Sequence, residues 1–157
     1  DSKGYYSDTL LSNSGPLPPK VGQTTTYTIY FQITNLFNDL EEVKVETFLP
    51  SYIEWLNRFK PTSVNLKFDS LTRKLTWEIG KLAAGTGILT PAQYIAFQIA
   101  LTPSATQMGQ VVEIIKASTI SGKDTFTASN LEARDGPISS DLPDDSTMTW
   151  EKGRVSE

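Results

Sequence analysis

The chain has 157 residues, of which 38% are hydrophobic, and it carries three Trp, six Tyr and seven Phe. This length suits one domain, and this aromatic content argues against a disordered chain. The absence of both His and Cys excludes Ser-His and Cys-His nucleophile pairs and thiolate or imidazole zinc sites. A net charge of −4 without a basic run argues against nucleic acid as a partner, and no apolar run is long enough for a membrane segment.

The amino-terminal part, residues 1–23, shows no clear periodicity. The run from Gly15 to Pro19 contains three prolines and predicts an extended, polyproline-like path along an edge of the domain. Residues 24–36 form the clearest predicted strand, because apolar and polar side chains alternate with a period of two. One face carries Tyr27, Ile29, Phe31 and Ile33, and the other carries Thr26, Thr28, Gln32 and Thr34.

The following segments continue the β pattern. Residues 35–39 read as a turn, and residues 43–47 alternate as a second strand that stops at Pro50. Residues 52–59 fit either a short strand or a helical turn. Residues 64–68 and 75–79 then form a predicted hairpin.

The later segments complete a series of short strands with no convincing helix. Residues 80–91 contain three glycines and predict a loop, and residues 95–101 alternate as a strand. Residues 110–120 are apolar and β-branched, and Ser121-Gly122-Lys123-Asp124 reads as a tight turn before a returning strand at 125–133.

The regular spacing of these strands predicts an all-β fold. The expected architecture is an immunoglobulin-like antiparallel β-sandwich of about seven to nine strands. The whole chain, residues 1–157, is expected to form a single β-sandwich domain with its core at about 15–135. Residues 136–157 are polar and acidic and are expected to form an edge strand that runs into a linker.

The acidic tail is the first candidate site. Asp141, Asp144 and Asp145 lie close in sequence, and with Asp135 they could supply oxygen ligands to one Ca²⁺. Their spacing does not match that of an EF-hand loop. The alternative is a solvated linker that its own charge keeps extended. No cofactor is otherwise expected.

Aromatic residues give the second candidate site. Tyr52 and Trp55, or Tyr5 and Tyr6, could stack on sugar rings as flat aromatic faces do. The alternative is that these side chains cap the ends of the hydrophobic core, because scattered surface aromatics are common.

Two kinds of covalent chemistry are conceivable for this composition. An intramolecular Lys–Asn isopeptide bond could nominally use Lys44, Asn130 and Glu46, but the alternation places Lys44 on the outward face. A carboxylate pair for glycoside hydrolysis is possible in any acidic chain, and nothing in this sequence selects one. The prediction is therefore that the chain is not an enzyme.

Several elements together resemble a known family. Val21-Gly22-Gln23-Thr24 leads into Thr26-Tyr27-Thr28-Ile29, Thr34-Asn35 closes the strand, and Val43-Lys44-Val45 is followed by Leu49-Pro50. This order resembles the bacterial cell-surface "conserved repeat" domain, an immunoglobulin-like module found in tandem in adhesin and envelope proteins. The resemblance implies a fold and a surface setting, and it transfers no catalytic residue.

The function expected from these observations is structural. The chain is interpreted as a non-enzymatic spacer module of a prokaryotic extracellular surface protein, a source that the absence of Cys also favours. Its partners would be neighbouring modules of the same polypeptide, and its anchor would lie outside this segment. The alternative is an adhesion module that binds a cell-surface glycan or protein through end loops such as 80–91. A third possibility is an accessory domain of a secreted hydrolase.

Overall fold

The computed structural model describes all residues 1–157, and regular structure is β apart from one 3₁₀ turn at Ala105–Gln107. None of its helical segments has the length and apolar character needed to cross a bilayer. Eleven strands follow one another along the chain. They are β1 (Ser2–Tyr5), β2 (Thr25–Ile33), β3 (Leu40–Phe48), β4 (Ile53–Lys60), β5 (Asn65–Asp69), β6 (Lys74–Leu82), β7 (Gln93–Leu101), β8 (Glu113–Ile115), β9 (Ser118–Asp124), β10 (Asn130–Asp135) and β11 (Ile138–Ser139).

The strands form two main sheets and a small ribbon. A four-stranded sheet has the order β1-β2-β7-β4, and a five-stranded sheet has the order β10-β9-β3-β6-β5. Strands β8 and β11 pair as a separate ribbon. All named strand pairs are antiparallel. The predicted antiparallel β-sandwich is therefore confirmed.

The core follows from the alternation in β2 and β7. Tyr27, Ile29 and Phe31 point inward from β2, and Phe97 of β7 meets Phe31 edge to face at a centroid distance of 5.3 Å. The opposite sheet contributes Val45 and its own apolar neighbours. Burying one such side chain stabilises the fold by about 1.5–3 kcal/mol. From the five-stranded sheet, Val43, Leu75 and Trp77 are also buried in this core, and Ile95 and Ile99 of β7 join it from the four-stranded sheet.

Some predicted boundaries differ from the structure. The segment 52–59, ambiguous in sequence, is strand β4. The predicted turn at 121–124 lies inside β9, and the chain turns at 125–129 instead. The reason is the packing of Gly122, where an added Cβ would lie 3.0 Å from Val43 Cγ2. Glycine serves there to let two strands approach, and a local turn pattern cannot distinguish that use.

The amino-terminal segment is more ordered than its sequence predicts. Strand β1 pairs with β2, and the chain then crosses the outer face of the four-stranded sheet. Leu11 is buried there, Thr28 Oγ1 donates to the Leu11 carbonyl at 3.0 Å, and Thr25 Oγ1 donates to the Pro16 carbonyl at 2.8 Å. The segment around Leu11 therefore packs on the outer sheet face, and the proline-rich run is held at the start of β2.

The carboxyl-terminal segment is not an extended linker. Ile138, Leu142 and Val155 are buried members of the hydrophobic core. Ser140 Oγ donates to the Gly153 carbonyl at 2.6 Å and accepts from the Val112 N–H at 3.0 Å. The expectation of a solvated linker is corrected here, because a few apolar residues spaced among the acids are enough to hold this segment on the core.

The two ends of the chain lie at opposite ends of the sandwich. Asp1 lies next to the end of β2, since its carbonyl accepts the Gln32 N–H at 2.9 Å. Ser156 bridges to Lys20, and its carbonyl accepts the Val21 N–H at 3.0 Å, just before β2 begins. Strand β2 has nine residues, and at about 3.3 Å per residue it separates the two ends by roughly 25–30 Å.

Candidate functional site

The four aspartates predicted to bind calcium have different environments. Asp145 is buried, and its Oδ2 accepts the backbone N–H groups of Tyr6 and Ser7 at 2.8 and 2.7 Å. Its Oδ1 accepts the N–H and hydroxyl of Thr147 at 2.9 and 2.7 Å. The carboxylate thus joins the amino-terminal segment to the carboxyl-terminal one.

Asp135 has a similar structural role. Its Oδ2 accepts the Ser2 backbone N–H at 2.6 Å and the Ser2 hydroxyl at 2.8 Å, and its Oδ1 accepts the Gly136 N–H at 2.9 Å. Asp144 is exposed to solvent. No group of three or more acidic side chains is placed to hold a metal ion. The calcium site at Asp135, Asp141, Asp144 and Asp145 stays a prediction, and the geometry does not support it.

The titration of the two bonded aspartates reflects these contacts. Burial alone would raise the pKa of Asp145, but hydrogen bonds from Ser7, Thr147 and Tyr6 outweigh it and lower that pKa below its ordinary value. Burial acts in the same way on Asp135, and hydrogen bonds from Ser2 and Gly136 again lower its pKa. Both carboxylates are therefore ionised over the neutral range as structural acceptors.

Tyr52 and Trp55 lie in one shallow cleft, as a shared binding role requires. Both are half-buried and line a space of about 450 Å³ with Phe68 and Arg73. However, the Tyr52 hydroxyl donates to the Glu113 carbonyl at 2.8 Å, and the Trp55 ring lies 5.7–6.4 Å from the rings of Phe59, Phe68 and Phe97. These contacts fit the alternative raised from the sequence, in which the two side chains cap an end of the hydrophobic core.

The residues considered for an isopeptide bond sit on an outer sheet face. Lys44 Nζ forms an ion pair with Glu46 Oε2 at 3.3 Å, and the Lys44 side chain is 45% exposed. Lys44 pairs across the sheet with Ser121, whereas Asn130 pairs with Lys123. The alternation predicts that Lys44 points outward, and its position in the structure agrees.

One end of the sandwich carries a group of exposed apolar side chains, here called the apolar tip. Three loops contribute to it, at 34–39, 83–92 and 125–129. Its members are Leu36, Phe37, Ile88, Leu89 and Phe126, with Phe37 80% and Phe126 86% exposed. This end is also the one where Asp1 lies.

The loops of the apolar tip are held together by hydrogen bonds. Asn38 Nδ2 donates to Asp124 Oδ2 at 2.8 Å, and the Thr125 N–H donates to the Asp39 carbonyl at 3.0 Å. The Asn35 N–H donates to the Thr86 carbonyl at 2.9 Å, which fixes the second loop to the first. The tip is therefore a defined surface. The sequence predicts its turns at 35–39 and 80–91, but it names only the loop at 80–91 as a candidate binding loop.

Another surface cleft lies on the outer face of the four-stranded sheet. It encloses about 530 Å³, and three tyrosines line it: Tyr5, Tyr30 and Tyr94. We call it the tyrosine cleft. Of the three, the sequence points only to Tyr5. Tyr30 lies on the outward face of β2, where the other residues are Thr and Gln. An aromatic residue on that polar face was the sequence feature that could have pointed to this cleft.

Comparison with known proteins gives matches at the level of structure. No protein-family model matches the chain, and no curated protein matches its sequence. A variant of BcpA, the major pilin subunit of Bacillus cereus, is similar with a TM-score of 0.51 and 13% identity, over 78% of this chain and 36% of that one. The RrgA Jo.In complex is similar with a TM-score of 0.51 and 7% identity, over 88% of this chain and 76% of that one.

These similarities concern the fold. The chain spans about a third of the length of the BcpA structure. At such low identities the shared feature is the immunoglobulin-like β-sandwich, which the chain therefore has as predicted.

Proposed function

We propose that this chain is a non-enzymatic structural module of a bacterial surface protein, which sets the distance between the segments joined to its two ends. The observation that carries the proposal is the position of Asp1 and Ser156 at opposite ends of the sandwich. Modules with that geometry add length when they are joined in series. The structural similarity to part of a pilin subunit supports a location on the cell surface, outside the cell.

The attachment of both ends suits a part that carries tension. Strand β1 pairs with β2 over four residue pairs, from Ser2 opposite Phe31 to Tyr5 opposite Thr28. A pull on Asp1 along the long axis loads these pairs together, since the strand must slide along its neighbour. The bonds from Asp135 and Asp145 add to this resistance, because both hold the β1 segment from the opposite end of the chain.

Single-molecule pulling tests the proposal. The chain has no Cys, so introduced cysteines give unique attachment points. Asp1→Cys with Glu157→Cys applies force along the axis, and we expect a clear unfolding-force peak. Asp1→Cys with Phe37→Cys pulls two points at the same end, so β1 peels from β2 one pair at a time and the force is lower. Equal or lower force along the axis would contradict a tension-bearing role.

A second candidate function, protein binding through the end loops, is favoured by the apolar tip. Strongly exposed apolar side chains on ordered loops at one end of a domain are typical of contact surfaces. The accessory-domain alternative has no comparable observation in its favour.

Binding to an array of purified extracellular-matrix proteins tests this second candidate. We expect Phe37→Ser to abolish any binding that the wild-type chain shows. Leu71→Ser is the matched control, because Leu71 is 94% exposed on a turn at the opposite end. Binding that survives Phe37→Ser, or its absence in the wild-type chain, removes the adhesive role of the tip.

A further inference from the structure

The tyrosine cleft is built from neighbouring strands of one sheet. Tyr5 belongs to β1, Tyr30 to β2 and Tyr94 to β7. Across the sheet Tyr30 is opposite Lys3, and Gln32 is opposite Tyr94. Their side chains therefore project from the same outer face, in two adjacent rows. A volume of about 530 Å³ falls in the range of small-molecule sites, about 300–1,000 Å³.

The aromatic rings form a corner. The rings of Tyr5 and Tyr30 lie 5.6 Å apart at an interplanar angle of 88°, so one ring stands against the edge of the other. Tyr94 is 49% exposed and borders the same space. A ligand in this space would meet aromatic surface on more than one side.

One carboxylate is fixed within the cleft. Asp8 Oδ1 accepts the Tyr30 hydroxyl at 2.9 Å, and Asp8 Oδ2 accepts the Leu11 N–H at 2.8 Å. Each oxygen keeps a second lone pair that can accept another hydrogen bond. Burial and the Asp8 contact raise the pKa of Tyr30, so its phenol stays protonated as the donor in this pair.

Further polar groups line the rim. Gln32 contributes an amide with both donors and an acceptor, and the Lys3 ammonium lies 3.2 Å from the Asp1 carboxylate. The lining thus combines aromatic faces with a fixed acceptor and adaptable donors. That combination matches a pyranose ring, whose C–H face packs on aromatic rings while its hydroxyls exchange hydrogen bonds with carboxylates and amides.

We propose that the tyrosine cleft binds a neutral pyranose unit of a glycan, with Tyr5 and Tyr94 as ring contacts and Asp8 and Gln32 as hydrogen-bond partners. This site lies on the side of the sandwich. It reaches Ala92 at the end of one tip loop, but none of the five exposed apolar side chains of the apolar tip lines it. A spacer module with such a site would also attach along its length to a polysaccharide.

The charges of the cleft favour a neutral sugar over an ionic ligand. The Asp1 carboxylate is paired with Lys3, so the Asp8 carboxylate is the unpaired charge of the lining, and it would repel an acidic sugar. An organic cation would find the Lys3 ammonium already within the lining, paired with Asp1 at 3.2 Å. A neutral ring with several hydroxyls is repelled by neither the carboxylate nor the ammonium group.

A glycan array provides the first test. The intact chain is applied to neutral gluco-, manno- and N-acetylglucosamine oligosaccharides, to sialylated and uronic-acid glycans, and to immobilised trimethylammonium groups. We expect binding to one or more neutral oligosaccharides only. Calorimetry with the best neutral oligosaccharide then compares variants, and Tyr94→Ala should raise Kd about tenfold or more through loss of a stacking ring.

The control variants distinguish this cleft from other surfaces. Phe126→Ala removes an exposed aromatic ring of the apolar tip, and Trp55→Ala removes the ring of the cleft near Tyr52. Both should leave the Kd unchanged, and Asp8→Asn should weaken binding while each variant keeps a normal melting profile. The proposal would be overturned if the chain bound no neutral oligosaccharide, or if it preferred the acidic or cationic ligands. It would also be overturned if Phe126→Ala or Trp55→Ala abolished binding and Tyr94→Ala did not. The pulling experiment is independent of this result.

Discussion

At the scale of single residues, Asp145 accepts more hydrogen bonds than any other acidic side chain of the protein. It accepts four hydrogen bonds, from Tyr6, Ser7 and both donors of Thr147. Three of these donors are backbone N–H groups, which are costly to leave unpaired when buried. Its neighbour Asp144 is exposed. Two adjacent aspartates therefore offer a matched comparison.

Asp145→Ala should lower the free energy of unfolding by about 2–4 kcal/mol, because buried donors lose their acceptor. Asp144→Ala should change it by less than about 0.5 kcal/mol, as expected of an exposed site. Urea unfolding followed by tryptophan fluorescence gives both values. Similar effects for the two variants would show that Asp145 is not the structural acceptor described.

The lowered pKa of Asp145 also predicts a pH dependence. A carboxyl group whose pKa is lower in the folded state than in the unfolded state stabilises the fold above its unfolded pKa, about 3.9. This stabilisation is lost as the pH falls through the folded pKa. The difference in unfolding free energy between the wild-type chain and Asp145→Asn should therefore shrink between about pH 6 and about pH 3. A constant difference would exclude the ionised carboxylate as its cause.

At the scale of elements, the segment after Asp135 completes the sandwich. Strand β11 pairs with β8, and Leu142 reaches the core close to Gly4 of β1. An added Cβ on Gly4 would lie 2.8 Å from Leu142 Cδ2 and 2.9 Å from Ile138 Cγ2. The first strand and the last segment thus depend on each other for their packing.

Leu142→Ala should therefore destabilise the fold by about 2–5 kcal/mol, the usual cost of emptying a buried leucine site. Leu71→Ala is the control, since Leu71 is almost fully exposed, and it should stay within about 0.5 kcal/mol of the wild-type chain. Thermal and urea unfolding measure both. A mild effect at Leu142 would restore the interpretation of this segment as a linker.

At the scale of the whole molecule, the positions of Asp1 and Ser156 set how copies would join. When Ser156 of one copy is joined to Asp1 of the next, the axes of the two copies are expected to continue one another. Small-angle X-ray scattering of a two-copy tandem with a short linker should give a maximum dimension about twice that of one copy. A compact, folded-back pair would contradict the spacer geometry.

Local pattern was sufficient for much of this fold. The period-two alternation from Tyr27 to Ile33 specifies a half-buried strand, because no helix can place those four side chains on one face. The hairpin of β5 and β6 was likewise predictable from alternation around a turn. The absence of His and Cys removed whole classes of chemistry before any geometry was known.

The candidate sites were harder to predict, since they depend on which segments meet. The spacing of Asp141, Asp144 and Asp145 suggested shared ligation, but long-range partners at Tyr6 and Ser7 occupy the Asp145 carboxylate. The tyrosine cleft brings Tyr5 next to Tyr30 and Tyr94, residues that are far apart along the chain.

The sequence by itself therefore determined the β-sandwich, because side-chain alternation is a local property that burial on one face requires. Only the tertiary structure decided the role of the two ends of the chain. The residues at the two ends show little of the alternation that predicts secondary structure. The ends are held by hydrogen bonds and apolar contacts to residues more than 100 positions away, and examples are the bonds of Asp145 with Tyr6 and of Asp135 with Ser2. Contacts of that range are fixed by the packing of the whole molecule, which no local pattern encodes.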